Sequence, residues 1–489
     1  MIDIAIIGGG WSAAFFLLGL SDDLKQTLKI EIFQENSPSD EGGLTYESLL
    51  CSVNGQKSEV RLPAAKNLGG ASISFGGQLS RFEKSHFSDK PGVLVEEDIL
   101  EPWPIKYSDL SPHYEFVENY VEQQVGSNSK KITLKRAKNS FFFQQMVKCK
   151  IDPYVPLTAL NFKKHCDGCP GRLCKKKCKF TALDVILDQE KKYKNIKISN
   201  NSKVVKISSC GRDVRGVKVL SQGEIVNKEC ASVVLCAGAI NTPEILNNLY
   251  SSSGIDSESS KFVGRGLMFH YSDIYISWDY FLRSSEVIPK FFASDFLNKL
   301  DGVPLGNIQS IATTLKSEDV QRVIFRLLPN FNLSFAKIIV KSFAKISGTI
   351  AEKMSKRVFV LATVGEDFPR YENKVKMNDK GKSIIYSISS EMKARRKKFD
   401  KTLKKNFRRK FFIFRLPFFD TLNLGHPCGT CRMAEEKSKG VVNKNCKSFD
   451  FNNLYIVDAS ILPRSGGTNP SLTIAANAHR AASLFKKTE

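Results

Sequence analysis

The sequence predicts an α/β protein built on a Rossmann-like dinucleotide-binding unit, and three observations carry that expectation. The chain opens with a buried strand, a triple-glycine turn, a helix and a second strand. Near the middle an apolar run, Ser232-Val233-Val234-Leu235, ends in Ala237-Gly238-Ala239 and leads into a helix. Near the end, Asn453-Leu454-Tyr455-Ile456-Val457 reads as another buried strand, and a final helix begins at Thr468-Asn469-Pro470. With 489 residues, 42% of them hydrophobic, the chain can bury a large core and hold two domains.

The N-terminal pattern is Gly8-x-Gly10-x-x-Ala13, a dinucleotide fingerprint with Ala in the third glycine's place. Gly8 allows the tight turn, and Gly10 lets a pyrophosphate approach the backbone at the helix N-terminus. Trp11, Ser12 and Ala13 complete that cradle. After the second strand, Ile30–Phe33, the position that binds ribose hydroxyls falls on Gln34, with Glu35 beside it. A second glycine-rich loop spans Asn67 to Gly77, with Gly69, Gly70 and Ser72 as candidate cofactor contacts.

The cysteine cluster follows: Cys166-x-x-Cys169, then Cys174 and Cys178, preceded by His165. Thiolates suit an iron–sulfur cluster or zinc, and Arg172, Lys175, Lys176, Lys177 and Lys179 would offset their charge. Plain loop thiols are the third reading. From Ile196 to Gly238 the chain is β-rich, and the helix after it is expected to start near Pro243. At the C-terminal end, Asn469 is expected as an N-cap and Pro470 as the first helical residue. Apolar spacing at Ala475, Ala478, Ala482 and Phe485 suits a packed helix. Its N-terminus would point back toward the segment around His426, a natural seat for a developing anion.

His426-x-x-Gly429-Thr430, then Val457-Asp458-Ala459-Ser460, then Asn469-Pro470 resembles the C-terminal signature of the glucose–methanol–choline (GMC) flavin oxidoreductases. Four other segments are similar to that family in the same order: the fingerprint, the Asn67–Gly77 loop, Trp103–Tyr114, and Val233–Leu246 with Val263–His270 after it. The resemblance implies a discontinuous FAD-binding domain (1–75, 180–270, 416–489). It implies a smaller α+β substrate domain with an antiparallel sheet (76–179, 271–415), holding the cysteine-rich loop 165–179. It favours FAD over NAD, with Val204 against the adenine and Ala237, Gly238, Asp458, Ala459, Asn469, Pro470 and Thr473 along the cofactor. No His or Cys lies between Ala71 and Gly77, so the flavin is expected to be non-covalent. Trp103–Tyr114 reads as structural, with His113 as a helix-start residue, and His270 reads as structural as well. Some family members hold an iron–sulfur cluster on cysteines like Cys169, Cys174 and Cys178, although Lys179 stands where a Pro usually follows.

The implied chemistry is oxidation of a CH–OH group in an alcohol, sugar or polyol, with hydride passing to flavin N5. His426, neutral near pH 7, would accept the hydroxyl proton, and Asn469 would hold the substrate oxygen. The alternatives are an oxidase that forms H2O2, and a partner- or membrane-docking flavoprotein without alcohol chemistry.

The formal charge of +23 suits anionic partners, among them an acidic electron-acceptor protein or the surface of a membrane. No nucleic-acid-binding signature accompanies it, so nucleic acid is not expected. Val320–Lys356 and Glu391–Arg415 are basic and loosely amphipathic; each reads as a membrane-surface element or as the solvated face of a helix. No apolar run of about 18 residues occurs, and Met1-Ile2-Asp3-Ile4 enters a strand without a basic leader. A cytoplasmic location, with thiols rather than disulfides, is the expectation.

Overall fold

Strand Ile2–Ile7 runs parallel to Ile30–Phe33 on one side and to the end of Glu224–Leu235 on the other. Ile196–Ser199 extends the first side and Leu454–Ile456 the second, again in parallel. Both ends of the chain and its middle therefore share one sheet. The continuous apolar runs explain why: a parallel strand covered on both faces has no solvent side to keep polar. The early part of Glu224–Leu235 leaves this arrangement and pairs antiparallel with Asp213–Ser221, which pairs with Ser202–Cys210. The structure, a computed structural model, describes residues 1–36, 45–64, 66–87, 101–126, 128–139, 141–149, 151–162, 166, 174, 176–278, 292–293, 305–311, 358–378, 381–407, 412–415 and 421–486.

A second sheet is antiparallel and orders Phe292–Ala293, Gly306–Ile311, Val358–Gly365, Met268–Ser272 and Thr421–Cys428, with Ile274–Trp278 and Phe412–Arg415 attached. A third joins the hairpin Thr45–Val53/Gln56–Ala64 to Lys374–Asn378 and Gly381–Tyr386. The hairpin falls in a range expected for the cofactor domain, yet it pairs with Gly381–Tyr386 of the intervening region, and Thr421–Cys428 pairs with Met268–Ser272, which straddles the expected boundary. Asn54-Gly55, both at positive φ, form the two-residue turn that closes the hairpin.

The first helix, Trp11–Gly19, packs against both Ala182–Lys192 and the C-terminal helix Ser471–Ser483. Three local expectations are corrected. The C-terminal helix starts at Ser471 with Pro470 as its N-cap residue, so the Asn469 side chain does not cap it. The helix expected near Pro243 starts at Gly238. Pro243 has no N–H to give the carbonyl of Ala239, which instead accepts from the Thr430 hydroxyl at 2.7 Å. His113 lies within the helix Tyr107–Val125 rather than at its start, and meets His479 ring to ring at 2.8 Å.

Among the described residues no helix is long and apolar enough to cross a membrane. Ser390–Phe407 is helical, with Met392, Phe399, Leu403 and Phe407 buried and Lys393, Lys397, Lys401, Lys404 and Lys405 exposed. Val320–Lys356 lies outside the described residues.

Candidate active site

A cavity of about 590 Å³ opens where the parallel strands end. One end is lined by Gln34, Glu35, Lys203 and Val204, and the middle by Gly8–Ser12, Gly70–Ser72 and Ala237–Ala239. The far end is lined by His426, Asp458, Ala459, Asn469 and Pro470. The glycines divide by role. A Cβ on Gly8, which sits at φ +98°, would stand 2.6 Å from the Cys236 carbonyl oxygen, whereas one on Gly10 would meet no protein atom within 4 Å. The space over Gly10 is therefore open, and the helix it precedes has neither a side-chain cap nor an acid in its first turn. That is the chemistry of an anion seat, and it fits the pyrophosphate of a dinucleotide.

The second glycine loop is fastened from behind. Gly69 N–H donates to the Gly9 carbonyl at 2.8 Å, and Ser72 Oγ accepts from Ala182 N–H at 2.9 Å. The ammonium of Lys179 donates to the carbonyls of Ile73 (3.0 Å) and Phe75 (2.7 Å). Lys179, read from sequence as a counter-charge to cysteines, thus clamps the loop that lines the cavity. Gly69 and Ala13 do not line the cavity themselves. Gly69 holds the loop, and Ala13 is fully buried beneath the turn.

Gln34 lines the cavity and also braces the glycine turn. Its amide oxygen accepts from Gly9 N–H at 2.6 Å, and its amide nitrogen donates to the Lys66 carbonyl. These two bonds tie the glycine turn to the second strand. Glu35 is the carboxylate at that end of the cavity, paired with Lys66 at 3.1 Å and Lys203 at 3.7 Å. Asp458 likewise acts on the backbone: its carboxylate accepts from Gly238 N–H (2.8 Å), the Thr242 hydroxyl (2.5 Å) and Ser460 N–H (2.9 Å). Thr473 is turned away from the cavity; its hydroxyl pairs with Tyr114 at 2.7 Å.

At the far end, the ladder between Met268–Ser272 and Thr421–Cys428 breaks register. Met268 pairs with Cys428 and His270 with Asn423, so Leu424–Pro427 stand opposite Phe269 alone and bow out. That bulge carries His426 into the cavity wall. Gly429 makes the exit possible: at φ +89°, a Cβ there would stand 2.6 Å from the Gly266 carbonyl oxygen. His426 keeps part of its surface open to the cavity. Desolvation, and secondarily the neighbouring His270, push its pKa down to about 3. The imidazole is neutral at pH 7. Asn469 faces the same space, and its buried amide oxygen has no hydrogen-bond partner among the described residues. An orphaned amide oxygen at a cavity wall costs about 1–3 kcal/mol unless a ligand or water satisfies it.

Sequence reasoning treated His270 as structural, yet its Nδ1 stands 3.0 Å from Nδ1 of His426. Its Nε2 stands 3.0 Å from the Ser465 carbonyl. A strand pairing across a bulge leaves no periodic trace, so only the histidine itself was visible.

Cys166, Cys174 and Cys178 gather in a small apolar cluster with Leu160 and Phe162, while Cys169 lies outside the described residues. Burial, with its Cys166 and Cys174 neighbours adding to it, pushes the Cys178 thiol up to about 12. Among the described residues, no group of three His, Cys, Asp or Glu side chains could hold a metal ion.

Comparison with known proteins bears on the same residues. Residues 97–272 and 389–478, together more than half of the chain, match the N- and C-terminal models of GMC oxidoreductase. The 6'''-hydroxyparomomycin C oxidase of Streptomyces lividus is 22% identical over 524 aligned positions, covering 98% of this chain and 90% of that protein. The cholesterol oxidase of Acinetobacter baumannii is 42% identical over 73 residues, 15% of this chain and 12% of its own length. Pyridoxine 4-oxidase from Mesorbium loti shares the fold, with a TM-score of 0.59 at 15% identity and 99% of each chain covered.

Proposed function

Because the chain belongs to the GMC oxidoreductase family, we propose that it oxidises a CH–OH group of a small alcohol, with FAD bound along the cavity and His426 as base. The observation that carries this reading is the shared cavity. A neutral, partly open His426 and an Asn469 amide with an unpartnered oxygen face the same space as the glycine cradle. FAD, when bound, supplies the hydride acceptor.

The protein's own part is to hold and deprotonate. Gly10 and the N-terminus of Trp11–Gly19 would seat the pyrophosphate, and Glu35 would take the ribose. His426 would accept the hydroxyl proton, and the Asn469 amide would fix the substrate oxygen. Ser471–Ser483 starts at the cavity with no acid in its first turn, so negative charge developing there is stabilised.

A sugar or polyol is the substrate class proposed. The relative that spans nearly the whole chain is named for oxidation of a hydroxyparomomycin. That relative is named an oxidase, which supports O2 as acceptor; an acidic acceptor protein docking on the exposed lysines is the other arm. Peroxide release measured on the purified protein separates them, and iron and zinc assayed on the same sample report whether the Cys166–Cys178 loop holds metal. His426→Ala is the test of the whole reading. Flavin absorbance should be retained while turnover falls by about 10²–10⁴-fold. Undiminished turnover would remove His426 from the role.

A further inference from the structure

The contacts of His270 decide where the protons of His426 sit. Ser465 offers only a carbonyl oxygen, which can accept and never donate, so the 3.0 Å contact requires a hydrogen on Nε2 of His270. Both histidines are kept neutral, since desolvation pushes His270 down to about 4 and His426 to about 3. A neutral His270 with a hydrogen on Nε2 has a bare Nδ1. The 3.0 Å Nδ1–Nδ1 contact then needs its one hydrogen from the other ring, so His426 Nδ1–H donates to His270. Nε2 of His426 is left unprotonated.

We propose that His270 is a positioning residue: it fixes His426 in the Nδ1–H tautomer, so that Nε2 is the nitrogen that takes the substrate's proton. This rests on the reading of His426 as the base. Proton balance is simple, because the hydroxyl hydrogen moves to Nε2 while Nδ1–H stays in place, donated to His270. A base oriented by a third group is the logic of a catalytic triad, with a neutral imidazole in the carboxylate's place.

The acceptor that sets this chain is itself held rigidly. Ser465 Oγ donates to the Asp367 carbonyl and accepts from Asp367 N–H, both at 2.9 Å. Next to it, Arg464 forms a two-pronged pair with Glu366, 2.9 Å on each prong, wholly buried. The carbonyl of Ser465 therefore has little freedom to turn away from His270. The order is ion pair, serine carbonyl, His270, His426.

The test reads protonation directly and activity second. In the flavin-loaded protein labelled with ¹⁵N-histidine, the His426 signals are identified by their loss in His426→Ala. Nδ1 should show a protonated, pyrrole-type shift and Nε2 an unprotonated, pyridine-type shift. A protonated Nε2 overturns the proposal and leaves CH–OH oxidation untouched. The expected tautomer in a protein that oxidises no alcohol supports the positioning and overturns the function. In kinetics, His270→Phe should lower kcat about ten- to a hundred-fold with KM and the flavin spectrum little changed. His270→Asn, whose amide oxygen can stand in for Nδ1, should recover much of that loss. Equal kcat in wild type and His270→Phe, or no recovery in His270→Asn, overturns it.

Discussion

At the scale of single residues, His426 makes a claim about pH. A base must be unprotonated, and an ordinary histidine loses that state below about pH 6.5. Burial and then His270 drive His426 down to about 3, while part of its surface stays open to the cavity. The acid limb of kcat/KM should therefore lie below the ordinary range, with the profile flat from pH 7 to about 5. An acid limb at 6.5 or above, measured with a non-titrating substrate, would show that a different group is the base. His426 and Asn469 were legible in sequence because their order and spacing sit inside two sharp motifs. The bracing bond of Gln34 was not legible because its partner, the N–H of Gly9, lies across two strand ends. A fingerprint specifies the position and says nothing of which bonds occupy the side chain.

At the scale of elements, the approach of two helices turns on a residue outside every motif. A Cβ on Gly19 would fall 2.4 Å from the carbonyl oxygen of His479 and 2.8 Å from Cβ of Ala482. The nearest of these atoms is backbone, so Trp11–Gly19 and Ser471–Ser483 must separate to admit a methyl group. Gly19→Ala should lower stability by about 1–3 kcal/mol, read as a lower urea midpoint at unchanged slope. An unchanged midpoint would mean the helices can slide. The parallel strands were readable because double-sided burial writes a continuous apolar run, as in Ile4–Ile7. The Thr45–Ala64 hairpin had its signal, Asn54-Gly55 between alternating runs, and was still absorbed into the first domain. Its partner strand, Gly381–Tyr386, is over three hundred residues away, and no local pattern encodes that pairing.

At the scale of the molecule, the histidines set how the protein meets acid. Of six, five lie in described regions, and burial lowers all five: His86, His270 and His479 to about 4, His426 to about 3, and His113 in the same direction. In the unfolded chain each would bind a proton near pH 6.5, so below that pH the unfolded state holds more protons than the folded one. Stability is then complete above about 6.5 and declines as pH falls toward 4. Two carboxyls oppose this. Burial raises Asp367 to about 7, so over the same interval the folded state holds its proton and gains as pH falls, and burial moves Asp458 in the same direction. Five groups against two favours loss. The melting temperature of the flavin-loaded protein should fall steadily from pH 6.5 to about 4.5, well before ordinary carboxylates titrate. Replacing His479, a partly buried residue outside the cavity that meets the rings of His113 and Phe116, tests the cause. His479→Gln should flatten the slope while leaving the neutral-pH melting temperature within a few degrees, about the scale of 1 kcal/mol for a chain this size. A melting temperature that rises between pH 6.5 and 4.5 would mean the carboxyls dominate and the histidines are better hydrated than their burial implies.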